Sequence, residues 1–170
     1  NTVTIKNLKG VKGENNKTIP MKDLINEKVK HRQWYRPFAP SILREDVKDW
    51  FKIDIDSPYM SFVIPFRDDV KWRVQAVVHL DGTGRLQTVT EDSNHWYYNF
   101  IKQWKAATGV PILLNTSFND REPIVETPEH AVNCFMGTNL DILICENFIL
   151  YKNEQNPELK KNYEKKFKLD

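Results

Sequence analysis

The stretch Lys28 to Ser41, KVKHRQWYRPFAPS, constrains the fold of this chain more than any other. Pro37 and Pro40 drive the residues before them, Arg36 and Ala39, out of the helical region and toward extended backbone. Upstream the spacing is helical: after Pro20, at a first-turn position, Met21, Leu24, Ile25, Lys28 and Val29 line one face. A helix to about Val29, followed by extended chain, is therefore predicted. Extended backbone would point Lys30, Arg32 and Arg36 the same way, whereas a helix would put Lys30 and Arg32 on nearly opposite sides. Converging cations make an anion site, in which guanidinium groups grip phosphate or carboxylate bidentately and an ammonium supplies a movable point charge. The competing reading is a solvated basic loop. The arginine content, the flanking Trp34, Tyr35 and Phe38, and the stiffening prolines bring a built site level with that reading.

A chain of 170 residues with 40% hydrophobic and 12% aromatic residues is globular material, about one domain with a real core. Its 25 basic and 23 acidic residues leave a net charge of +2, so any electropositive region is local. That balance argues against a dedicated nucleic-acid coat. Cys134 and Cys145 sit in apolar settings without a CxxC pair, and read as core thiols rather than ligands or nucleophiles. No apolar run reaches the length of a membrane span, and NTVTIKNLKGVKGENNK lacks the hydrophobic region of a signal peptide, so a cytoplasmic location is expected. Residues 1–19 read as a linker or fragment edge, with Val3 and Ile5 as a short edge strand. Residues 20–152 form the expected domain, and 153–170 a charged tail.

Within that domain, Arg44 to Phe51 offers one or two helical turns, and Tyr59 to Phe66 a strand that Pro65 places at an edge or end. Trp72 to Val89 reads as a hairpin, WRVQAVVHL and RLQTV joined by Asp81, Gly82, Thr83 and Gly84, with Arg85 at the mouth of the turn. Its glycines are either turn residues or a place where backbone approaches a ligand closely; the Walker pattern is absent. Ser93 is the expected cap of a helix to Thr108, in which Tyr97, Phe100, Ile101 and Trp104 form a core stripe stopped by Gly109. VPILL then reads as a strand buried on both faces that turns polar at Asn115, the place where open sheets with parallel strands hold ligands. Extended chain there would set Asn115, Ser117 and Asn119 on one face with Phe118 on the other, an arrangement offering directional bonds to phosphate, ribose or carbonyl groups; a polar turn is the alternative. Thr127, Pro128 and Glu129 open a helix to Gly137, and LDILICENFILYK gives two strands joined at Glu146 and Asn147.

Taken together, KVKHRQWYRPFAPS, SPYM, HLDGTGRLQTV, LNTSFN and EPIVETPEHAV, in this order, resemble the C-terminal domain of the O-carbamoyltransferases of the NodU and TobZ type, over roughly Met21 to Lys152. The resemblance implies an α/β (α+β mixed) fold of the YrdC-like kind, a twisted mixed sheet with flanking helices around a basic concave cavity. It also implies KxR and SxN site motifs, which fall on Lys30 and Arg32 and on Ser117 and Asn119. The implied activity is formation of carbamoyl-adenylate from carbamoyl phosphate and ATP with Mg2+, with no tightly bound cofactor or protein-held metal. A separate N-terminal metal-binding domain, in cis or in trans, would transfer the carbamoyl group to a hydroxyl.

On this reading Lys30, Arg32, Ser117 and Asn119 are catalytic and act on phosphate groups. His31, Arg36, Arg85 and Asn115 bind substrate. Residues 1–17 do not match the segment that precedes this domain in the family, so overall transfer is expected to need the missing domain. Asn119-Asp120-Arg121-Glu122-Pro123 is also one residue shorter than the familiar N-x-R-G-E-P. Threonylcarbamoyl-adenylate synthesis, which would depend on threonine and bicarbonate, and an RNA-binding YrdC-like module, which would show a steep salt dependence, are the alternatives; an inactive partner-binding domain is a third.

Overall fold

The computed structural model describes residues 18–120 and 122–159, together with the strand positions 2–3 and 11–12. In chain order the elements are β1 (Thr2–Val3), β2 (Val11–Lys12), β3 (Thr18–Ile19), α1 (Met21–Lys28), β4 (Ala39–Leu43), α2 (Val47–Trp50), β5 (Phe62–Pro65), β6 (Thr83–Val89), α3 (His95–Thr108), β7 (Ile112–Thr116), α4 (Pro128–Gly137), β8 (Ile142–Cys145) and β9 (Phe148–Tyr151). The class is mixed α and β, as expected. The expected strand at Ile5, Arg121 and the last eleven residues of the tail lie outside the described residues. The chain divides into two units, one of the described residues up to Lys22 with Pro37–Thr116, the other of Asp23–Arg36 with the described residues from Ser117 onward.

The first unit is built on a five-stranded sheet ordered β1-β7-β4-β6-β5. Only β4 and β6 run parallel among these pairs; β7 is antiparallel to both β4 and β1. The buried strand VPILL thus belongs to an antiparallel pairing, and the rule for ligands at parallel strand ends does not apply to it. Its neighbours on both sides explain its continuous apolar run. Pro40 is tolerated in central β4 near its start: it is paired with Leu114 of β7, whereas pairing with β6 begins only at Ser41. Helix α3 lays Tyr97 and Ile101 on Leu43, Val89 and Leu113, with Phe100 and Trp104 at the margin of the cluster. Asn94, not Ser93, caps this helix by accepting from the Tyr97 N–H at 3.0 Å, and Gly109 ends it with φ 70°.

Residues 72–80 do not form the expected strand. Lys71–Arg73 and Gln75–Val77 are single 3-10 turns that bury Val74, Ala76 and Val77 and leave Trp72 and Leu80 exposed. The strand that pairs antiparallel with β6 is β5 instead, and since β4 occupies the other edge of β6, no place remains for a further strand. The glycines of the turn also serve the chain itself. Gly82 takes φ 82°, and a Cβ at Gly84 would lie 2.5 Å from Phe66 Cε2 and 3.3 Å from Pro40 Cγ. Phe66 is buried against Phe51, ring centroids 4.2 Å apart, and has no room to retreat. Gly84→Ala is therefore expected to cost about 1–3 kcal/mol in urea unfolding through overpacking, with no need to invoke a ligand at this position.

The second unit joins α4, the β8–β9 hairpin and the residues around the end of α1. Its core is Ala131, Phe135, Met136, Leu140 and Leu143, lined by Val29, Phe118, Val125, Val132 and Leu150. Thr127 caps α4 by accepting from His130 N, with Pro128 in the first turn. At the other end the Lys152 ammonium donates to Phe135 O and, at 2.9 Å, to Thr138 O, placing a cation at the negative end of the helix. Glu146 turns the hairpin with φ 51°. Both cysteines are free thiols, Cys134 buried and Cys145 half-buried. After β9 the described chain makes two short 3-10 turns, Lys152–Glu154 and Pro157–Leu159.

Candidate functional site

The site grows from the end of α1. The N–H groups of Val29 and Lys30 both bond Ile25 O, at 3.1 and 2.9 Å, and Arg32 N–H bonds Asn26 O at 3.0 Å. The last turn of the helix thus keeps its carbonyls satisfied while the chain leaves it. His31, with φ 44°, supplies the left-handed residue that such an exit needs. A further turn bonds Arg36 N–H to Gln33 O. The extended Lys30–Arg36 segment expected from the prolines is therefore not formed. Proline restricts the residue immediately before it, and that influence does not reach back past Arg36, where helix-exit bonds prevail.

The cations crowd together by turns rather than by strand alternation. Burial, then the Arg32 guanidinium, bring Lys30 down to about 8 from 10.5. Burial and then Arg36 lower Arg32 in the same way. Each therefore feels the next.

Lys30 is only 4% exposed. Its ammonium donates to Ser117 O at 3.0 Å, to Asn119 Oδ1 at 2.8 Å and to Asn119 O, and stands 3.4 Å from Ser117 Oγ. Ser117 Oγ in turn donates to Asn119 Oδ1 at 2.7 Å, and Asn119 Nδ2 to Glu122 O at 2.8 Å. Lys30 of KxR and the two polar residues of SxN, the lysine 87 residues from Ser117 in sequence, thus share one hydrogen-bonded cluster. Phe118, between the two polar residues, is held in the apolar core, and its carbonyl accepts from Val125 N–H at 3.0 Å.

Beside this cluster His31 Nδ1 lies 2.9 Å from Asp120 Oδ2, the aspartate side chain being fully buried. Asp120 Oδ1 and Glu122 Oε2 are buried with no hydrogen-bond partner among the described residues. Burial, with Glu122 next in importance, pushes the Cys134 thiol up, well out of the range of a nucleophilic thiolate. No group of three or more His, Cys, Asp or Glu side chains among the described residues is arranged to hold a metal ion.

The second unit therefore gathers Lys30, His31, Arg32, Arg36, Ser117 and Asn119. Asn115 and Arg85 belong to the first unit. Asn115 is buried in β7 and donates to Gln87 Oε1 at 2.7 Å, an oxygen that also accepts from Ser41 Oγ at 2.5 Å. Arg85 is exposed on β6 opposite Val63, close enough to help, after burial, in lowering His79. The common face expected for Asn115, Ser117 and Asn119 is not formed by a continuous strand, since β7 ends at Thr116 and the chain bends beyond it.

Sequence reasoning passed over Asn26, Asp120 and Glu122. Asn26 is a polar residue next to Ile25 on the apolar face of the predicted helix, and that position was its only signal. The two carboxylates had none, because their role depends on the loop that folds Asp120 back on His31.

A mixed sheet, a helix-and-hairpin unit and cationic residues of which Lys30 bonds a Ser-x-Asn loop describe an α+β protein. The carbamoyltransferase C-terminus family matches residues 14–152, and the chain belongs to that family. It is 46% identical over 142 residues to nodulation protein NolNO of Sinorhizobium fredii, covering 81% of this chain and 21% of that protein. To nodulation protein NolO of Bradyrhizobium diazoefficiens it is 44% identical, over 77% of this chain and 25% of the relative. Nodulation protein U of Rhizobium tropici is 38% identical, over 82% and 24%. The chain thus spans about a quarter of the length of these relatives. No helix among the described residues is long and apolar enough to cross a membrane.

Proposed function

We propose that this chain is the carbamoyl-adenylate-forming part of an O-carbamoyltransferase, using carbamoyl phosphate and ATP and passing the carbamoyl group to an N-terminal metal-binding domain for transfer to a hydroxyl. The observation that carries the reading is the direct contact of Lys30 with Ser117 and Asn119, with Arg32 and Arg36 at hand. Membership of the family supports the carbamoyl chemistry. The small share of each relative that the chain covers is consistent with a second domain.

The chemistry suits these groups. Carbamoyl phosphate gives up its phosphate to water and leaves carbamate. A carbamate oxygen then attacks the α-phosphorus of ATP, a new P–O bond forms, and the bond to the bridging oxygen breaks with pyrophosphate as leaving group. Positioning and charge stabilisation dominate such transfers. Arg32 and Arg36 are assigned to the phosphates and Ser117 Oγ to a nucleotide phosphate oxygen. Lys30 sets the SxN loop and adds its charge. His31, oriented by Asp120, is left to bond carbamate or phosphate through Nε2. ATP enters as its Mg2+ complex, the metal held by phosphate oxygens.

In the test, labelled pyrophosphate exchanges into ATP only when carbamoyl phosphate is present, and Arg32→Ala or Ser117→Ala lowers the rate by about 100-fold. Both the chain and the same chain joined to its N-terminal domain are assayed. Folded protein that neither exchanges nor binds ATP in either form overturns the reading. Exchange that requires threonine and bicarbonate transfers it to threonylcarbamoyl-adenylate synthesis.

A further inference from the structure

The cations of the Arg32–Arg36 loop are useful only if the loop holds its shape, and the backbone there is not a regular element. Asn26 meets that loop from inside. The residue is 0% exposed. Its Nδ2 donates to Trp34 O at 3.0 Å and to Arg36 O at 2.9 Å, while its Oδ1 accepts from Arg32 Nε at 2.8 Å. Two donors and an acceptor are thus engaged at good length on three different residues of one loop. Chemistry fixes the amide orientation: exchanging O and N would set an N–H against the Arg32 N–H and an oxygen against two carbonyls. The backbone of Asn26 adds a fourth link, since its carbonyl accepts from Arg32 N–H.

Holding Arg32 by Nε has a directional consequence. A guanidinium is planar, and fixing Nε–H fixes both the plane and the heading of its distal nitrogens. The same amide sets the backbone at Arg36, whose charge is felt at Arg32. Trp34 and Tyr35, both exposed, are displayed on the arc between these anchors.

We infer that Asn26 is a positioning residue for anion binding: it presets the guanidinium of Arg32 and the arc through Arg36 in the geometry that receives a phosphate. This rests on the proposed use of the cluster for ATP and carbamoyl phosphate. Preorganisation of this kind acts on affinity, because a loop already shaped loses less freedom when ligand arrives.

The experiment compares the wild-type chain with Asn26→Leu, close in volume, and Asn26→Asp, which keeps the acceptor for Arg32 and loses both donors. ATP and inorganic pyrophosphate are the probes, titrated against protein shown to be folded by circular dichroism. Asn26→Leu is expected to weaken both by 10- to 100-fold and Asn26→Asp by less. In the Asn26→Leu background Arg32→Ala should cost under threefold more, because Arg32 is already misplaced. A lower Tm with unchanged affinity in the folded protein, or fully additive effects, overturns the inference. A second readout needs no ligand: the Arg32 Nε–H, detected by 15N NMR, should exchange slowly in wild type and in Asn26→Asp and be lost to exchange in Asn26→Leu. Protection in wild type with no binding of either probe would overturn the nucleotide reading and leave the clamp intact. Equal exchange in wild type and Asn26→Leu would overturn the clamp itself.

Discussion

Lys30→Met is expected to destabilise the second unit by about 1–3 kcal/mol, the usual cost of leaving buried hydrogen-bond acceptors unsatisfied, and to lower carbamoyl-phosphate-dependent exchange by about 100-fold or more. Methionine fills much of the same volume, so the loss is chemical and not steric. The ammonium holds the carbonyls of Ser117 and Asn119 and the Asn119 side chain. It is also a favourable charge for Asp120 and Glu122, whose Oδ1 and Oε2 have no hydrogen-bond partner among the described residues. Without it, among the described residues the buried Asp120 side chain keeps only His31, and the Ser-x-Asn loop loses the group that closes it. Urea unfolding followed by exchange measurements on the folded fraction separates the two effects. Stability within 1 kcal/mol of wild type (about the median of an exposed ion pair) would mean that Lys30 is not the tie between the motifs.

The same residues show which parts of the fold could be read from the chain. Strong periodicity was legible: the Tyr97 to Trp104 stripe, the Thr127-Pro128-Glu129 start of α4 and the β8–β9 pair all appear where their patterns place them. What misled was local pattern without knowledge of pairing. The stretch Val74 to Val78 resembles a strand, yet the edges of β6 are taken by β4 and β5, and the stretch forms a buried 3-10 turn instead. Pro37 and Pro40 do prepare β4, but the residues before Arg36 answer to the carbonyls at the end of α1. At the site, residue types were legible and their wiring was not. Four cationic or imidazole groups within seven residues announce an anion site, whereas the tie from Lys30 to residues 117 and 119 needs the tertiary fold. Asn26 shows the limit most clearly: in sequence it is one polar residue in an amphipathic helix, and in space it bonds three residues of the loop.

Raising the pH should move activity and stability in opposite directions, because Lys30 stands at about 8 in the folded chain against 10.5 when free. Burial is the main cause and Arg32 the next, with Cys134, Asp120 and Glu122 opposing them. Below pH 8 the group is charged in both folded and unfolded chains and contributes no slope. Between 8 and 10.5 the unfolded chain holds the proton that the folded chain has released. Stability therefore rises with pH in that window, by up to about 1.4 kcal/mol per unit from this group. Exchange needs the ammonium charge, and so falls as pH passes 8, by about tenfold per unit once the neutral form dominates. Urea unfolding of wild type and Lys30→Met from pH 7 to 10 isolates the first slope as the difference between them. Lys30→Arg tests the second: a guanidinium does not titrate there, so its residual exchange should persist to higher pH. A wild-type rate that stays level to pH 9.5 would show that the charge of Lys30 takes no part in the reaction, and would leave Arg32 and Arg36 to carry the phosphates while Lys30 serves the loop alone.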